Sequence, residues 1–96
     1  MADQGQLPKA LELCEVFIGE NPLHVEAHFL MGLIHEALHN ENKAEAFYNR
    51  AIYLNPEHVE ALNHLAFIEL QRGNKNSAER LRQRAQRISE TGGRIA

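Results

Sequence analysis

The chain has 96 residues, 44% hydrophobic and 24% charged, which suits one small domain with a modest core. No apolar run approaches the ~20 residues that span a bilayer, and Met1-Ala2-Asp3-Gln4-Gly5-Gln6 lacks the basic and apolar segments of a secretion signal, so neither a membrane span nor export is expected. Cys14 is the single cysteine; it excludes an internal disulfide and fits a reducing, cytoplasmic setting.

Five helices are expected in chain order. The first runs from Leu7 to Gly19, with Pro8 in its opening turn, and Asn21-Pro22 breaks it. The second runs from Leu23 to Leu38 and meets the polar turn His39-Asn40-Glu41-Asn42. The third covers Lys43 to Leu54 and stops at Asn55-Pro56. The fourth covers Glu57 to Arg72, with Gly73 as a C-cap free to take positive φ. The fifth covers Lys75 to Ser89 and ends at Gly92-Gly93, leaving a frayed tail.

The charge is unevenly spread. Residues 1–71 hold three basic and eleven acidic side chains, a balance of −8, whereas residues 72–96 hold seven basic and two acidic, a balance of +5. Arginine stems on the last helix cover apolar surface. No aromatic residue is interleaved with them, so nucleic-acid binding is not expected.

A 34-residue echo organises the chain: Ala27, Ala44, Ala51 and Pro56 return as Ala61, Ala78, Ala85 and Glu90, and counting back reaches Ala10 and Pro22. Apolar stripes at helical spacing accompany it. They are Ala27, Leu30, Met31, Ile34 and Leu38 in the second helix, and Ala61, Leu62, Leu65, Ala66 and Ile68 in the fourth. Gly32, Ala44, Ala51, Ala66, Ala78 and Ala85 allow paired helices to approach, where larger residues would overpack. A helical period of this length is the mark of a stacked solenoid.

Ala27, Met31, Gly32, His35, Ala44, Tyr48, Ala51 and Pro56 resemble a tetratricopeptide repeat. The next unit gives Leu62, Leu65, Ala66, Gly73, Ala78 and Ala85, and departs at Arg82 and Glu90, as a terminal unit facing water would. The first unit supplies only its second helix, with Gly5, Leu7, Ala10, Cys14, Phe17 and Pro22. The resemblance implies an all-α, right-handed helix-turn-helix solenoid of about two and a half repeats in one domain: half repeat 5–22, repeats 23–56 and 57–90, tail 91–96. An array that starts mid-unit points to a domain cut from a longer protein, or to a dimer that supplies the missing helix. A narrower resemblance joins Phe47-Tyr48-Asn49-Arg50-Ala51 through Asn55-Pro56-Glu57-His58, His64-Leu65-Ala66 and Ala78-Glu79-Arg80-Leu81-Arg82. These are similar to repeats following the catalytic domain in bacterial chemoreceptor methyltransferases of the CheR type. That likeness implies a non-catalytic, regulatory region of such an enzyme.

His35-Glu36-Ala37-Leu38-His39 matches H-E-x-x-H, in which two histidines on one helix face share zinc and the glutamate activates water. His24, His28, His35 and His39 fall within about 60° of one another on a helical projection. The repeat register assigns them to packing and to the turn, so His35 and His39 stand only as candidate ligands. Cys14 falls at a buried register position with no base beside it, and no catalytic residue or cofactor is expected.

The resemblance places the first helix of each pair on a concave groove. Its positions are Glu26, Phe29, Leu33, Glu36 and Ala37, then Glu60, Asn63, Phe67, Leu70 and Gln71. An apolar patch rimmed by charge is a partner-site signature, although Phe29 and Phe67 equally suit a core. The function expected is therefore binding of a protein or peptide, with Phe29, Leu33 and Phe67 as anchors. Self-association into a homo-oligomer is the alternative, and a metal-binding histidine stripe the remote one. No small-molecule substrate is expected. Relatives that clamp acidic tails use Lys, Arg and Asn; of these only Asn63 is present, and Glu26, Glu36 and Glu60 would favour a basic neighbour.

Overall fold

The computed structural model describes residues 2–95, and the side-chain surroundings of residues 6–91. The elements are α1 (Ala2–Glu20), α2 (Val25–Ala37), α3 (Glu41–Leu54), α4 (Val59–Gln71) and α5 (Lys75–Ile95), with no strand among the described residues. α2 pairs with α3 and α4 with α5, while α1 leans on α2 and α3 on α4. The radius of gyration is 14.3 Å, above the ~12.5 Å that scaling gives a compact chain of this length. An elongated stack of hairpins, a tetratricopeptide-type solenoid, accounts for the excess.

The helix bounds correct several expectations. α1 starts at Ala2 rather than Leu7 and carries Pro8 inside it; Ala and Gln in the first turn form helix well enough to absorb one lost main-chain bond. α2 and α4 start two residues late because His24 and His58 cap them. Their Nδ1 atoms accept the Ala27 and Ala61 amides at 3.1 Å in each case. Histidine is an unusual N-cap, so the sequence did not signal it. α3 starts early, at Glu41. α5 continues through Gly92-Gly93 to Ile95, since glycine weakens a helix without forbidding it.

The two turns inside the repeats show the period in the backbone. His39 (φ 63°) and Gly73 (φ 87°) lie 34 residues apart, and both take the left-handed conformation. Gly73 does so without strain; a Cβ at His39 makes the same turn costlier, by roughly 1–2 kcal/mol.

The main core gathers Phe29, Ala44, Tyr48, Ala51, Ala61, Leu65 and Ile68, with Leu33 and Leu81 packed at its edge. A smaller cluster of Cys14, Met31 and Ile34 joins α1 to α2, with Phe47 alongside. The alanines at 44, 51, 78 and 85 are buried as the register demands. Gly32 has the tightest requirement: a Cβ there would overlap the Tyr48 ring and sit 3.0 Å from its Cζ. Across the outer turns, Arg72 binds Glu41 and Glu45 at 2.9 Å each and Asn42 at 2.6 Å.

Candidate protein-interaction surface

The positions expected to line a groove separate into a structural half on α2 and an exposed half on α4. Phe29, an expected anchor, is 7% exposed and belongs to the core. Its ring lies 4.7 Å from His58 and 5.7 Å from both Tyr48 and His64. The physical reason is stacking: α2 has the next pair of helices beyond it, and the side of α2 facing them is covered. Leu33 is partly buried against the same cluster.

The acidic positions of α2 are also tied into the stack. Glu26 Oε1 accepts from His58 Nε2 at 2.9 Å. Because Nδ1 of His58 accepts a backbone amide, its proton must sit on Nε2 and donate to the carboxylate. Glu36 Oε1 accepts from the Tyr48 hydroxyl and from His64 Nδ1 at 3.0 Å. Burial first, then the hydrogen bond and charge of Glu36, raise the Tyr48 pKa well above its ordinary value. Tyr48 is therefore a fixed neutral donor.

On α4 the expected positions stay open. Glu60, Asn63, Phe67, Leu70 and Gln71 are exposed, Phe67 by 50% and Leu70 by 44%. Phe67 forms the wall between two hollows. One, of about 350 Å³, is lined by Glu36, His39, Glu41, Phe67, Ile68 and Gln71. The other, of about 360 Å³, is lined by Asn63, Ala66, Phe67, Leu70 and Arg82.

The H-E-x-x-H premise fails on geometry. α2 ends at Ala37, and His39 lies beyond it in the left-handed turn, so the two rings do not share a helical face. His35 is buried and stacked on Phe47 at 5.5 Å with planes 7° apart. Burial, assisted by Lys43 and opposed by Glu15, lowers its pKa. His28 is buried as well, its Nε2 donating to the Pro22 carbonyl at 2.8 Å. Among the described residues no group of three or more His, Cys, Asp or Glu is placed to hold a metal ion. Cys14 is buried, its Sγ donating to the Ala27 carbonyl at 3.5 Å, and burial followed by Glu15 raises its thiol pKa.

Sequence reasoning missed a second apolar surface, where Leu13, Val16, Phe17 and Leu30 are exposed on α1 and α2. The signal was available: these residues give α1 more apolar surface than one neighbouring helix can cover.

The geometry is that of a helical solenoid with a tetratricopeptide-like fold. Comparison with known proteins agrees, since residues 25–58 match the Tetratricopeptide repeat family profile. A search of curated protein sequences found no match. Among solved structures, the fold is similar to a crystal structure of MamA, with TM-score 0.89 at 18% identity over 93% of this chain and 52% of that one. It is similar also to MamA 41-end from Desulfovibrio magneticus RS-1, with TM-score 0.84 at 20% identity over 94% and 51%. A third, MamA MSR-1 C2, gives 0.82 at 20% identity over 91% and 50%. The chain spans about half the length of these structures.

Proposed function

We propose that the chain is a protein-interaction module that holds an apolar segment of a partner across α4, with Phe67 as the anchor. The observation that carries this reading is Phe67 standing half-exposed between two hollows, beside Leu70. An isolated exposed apolar residue would mean little; an aromatic flanked by concave, mixed-polarity space has the form of a hot spot. Asn63 and Gln71 supply amides for the partner's backbone. Peptides selected from a displayed library against the wild-type chain test the reading. Phe67→Ala should weaken them by about 1–3 kcal/mol. Unchanged affinity with an intact circular dichroism spectrum would refute it. Light scattering over a dilution series separates partner binding from self-association through the same surface.

A finer reading rests on the resemblance of residues 47–85 to repeats of chemoreceptor methyltransferases. In that reading the module regulates or localises a protein-glutamate methyltransferase in the cytoplasm of a bacterium. A methyltransferase domain encoded in the same reading frame would support it, and a frame without one would remove it.

A further inference from the structure

α5 carries three arginines that the fold does not use. Arg80, Arg84 and Arg87 fall within about 60° of one another on a helical projection and roughly opposite Arg82, which lines the hollow beside Phe67. Arg80 and Arg87 are exposed and Arg84 is partly buried. Among the described residues none of the three joins an ion pair. Arg84 is steadied by one contact, its Nη2 donating to the Pro56 carbonyl at 3.0 Å. Arg72 shows the contrast, since its guanidinium is tied to Glu41, Glu45 and Asn42. The carboxylates of α5 stand four residues from glutamines instead: Glu79 accepts from Gln83 at 3.5 Å and Glu90 from Gln86 at 3.2 Å. Like charges four residues apart weaken a helix, so the stripe is a cost to α5 that nothing in the described fold offsets.

Stacking does not cover this stripe. α3 has helices packed on both sides, α2 and α4, yet its matching residues Ala46, Arg50 and Tyr53 are exposed, Tyr53 by 86%. A further pair of helices would pass α5 as α4 and α5 pass α3, and would leave Arg80, Arg84 and Arg87 open.

We propose that this stripe docks a short acidic segment of a partner protein. Arginine pairs carboxylates with two parallel hydrogen bonds. Arg80 to Arg87 covers about 10.5 Å of helix. An extended segment with carboxylates at three alternate positions presents them on one side over about 13 Å. The unspent charge is confined to α5. The matching residues are Glu12, Val16 and Gly19 on α1 and Ala46, Arg50 and Tyr53 on α3, and Arg50 lies over the Phe47 ring at 5.1 Å. A long polyanion, whether nucleic acid or an anionic bilayer, would run from the arginines onto residues 1–71, where three basic side chains face eleven acidic ones. A short segment would not. A second copy of the chain is a poor source, because no two of its acidic residues stand two apart.

The stripe is separate from the Phe67 ridge, and its test is independent of that reading. The probe is a labelled peptide with glutamate at three alternate positions between serines, followed by fluorescence anisotropy at low salt against the full chain. The triple variant Arg80→Gln, Arg84→Gln, Arg87→Gln should bind it about tenfold more weakly. The triple variant Lys9→Gln, Lys43→Gln, Lys75→Gln removes as many charges from exposed sites elsewhere and should bind as wild type does. Replacing the three arginines by lysine should give an intermediate loss, since lysine keeps the charge and not the two-pronged contact. Phe67→Ala should leave the affinity unchanged. Equal losses in the two glutamine variants would show that net charge alone acts, and would overturn the proposal. So would tighter binding of an oligothymidylate of equal charge, or of anionic vesicles, through the same arginines. A dimer of the chain that the arginine variant dissociates would overturn it as well, since a second copy would then be the occupant.

Discussion

Replacing Gly32 by alanine tests the packing logic of the repeat. In a free helix the change is favourable by about 1 kcal/mol, because alanine loses less backbone entropy. Here the new methyl meets the Tyr48 ring well inside van der Waals contact. The ring has little freedom to retreat: Phe29 lies 5.7 Å away, His64 lies 5.2 Å away, and the hydroxyl is held by Glu36. Overpacking of this kind costs about 1–3 kcal/mol, and a disturbed hydrogen bond to a carboxylate adds about 1.5–3 kcal/mol. After the propensity gain, a net loss of about 1.5–5 kcal/mol is expected, at least roughly 6 °C in Tm for a domain of this size. Urea denaturation of Gly32→Ala, Tyr48→Leu and the double variant measures it. With Tyr48→Leu in place the clash is gone, so Gly32→Ala should become neutral or stabilising. An equal loss in both backgrounds would show that Tyr48 is not the cause.

Two further outcomes follow from the histidines. His58→Ala removes an N-cap, a bond to Glu26 and buried ring volume, so it should cost about 2 kcal/mol; His24→Ala removes a cap and an exposed edge contact with Phe17, 5.0 Å between ring centres, and should cost about 1 kcal/mol, and equal losses in thermal melts would contradict the assigned roles. His35 has a folded pKa below its ordinary 6.5, chiefly through burial. The unfolded chain therefore binds more protons once the pH falls below that value, and stability should decline from there down through the lower folded pKa. Denaturant unfolding of wild type and His35→Gln from pH 8 to pH 5 checks this; a slope as steep in His35→Gln as in wild type would assign the effect to other groups.

The fold was legible because its determinants repeat. Alanines at one period, Pro22 and Pro56 one period apart after α1 and α3, and Gly73 at a turn carry the same message along the chain, so an error at one position is corrected at another. The missed boundaries are the places where one residue acts alone. His24 and His58 cap through a ring nitrogen, and Gly92-Gly93 tolerates helix.

The site was less legible for a reason that the repeat itself explains. Phe29 and Asn63 share one register position, as do Leu33 and Phe67. In each pair the first is covered to a greater degree than the second, because α2 has helices stacked beyond it and α4 has only its own partner α5. Hydropathy at a single position cannot report that difference; it depends on which neighbour is present. The same reasoning resolves the small residues. Gly32 is glycine because Tyr48 faces it, whereas Ala66 is tolerated one period on, where Arg82 replaces the tyrosine and turns outward. Cys14 completes the series with a small side chain on the α1 side. The contact between α2 and α3 within the first full repeat is thus a matched pair of sizes, glycine against tyrosine.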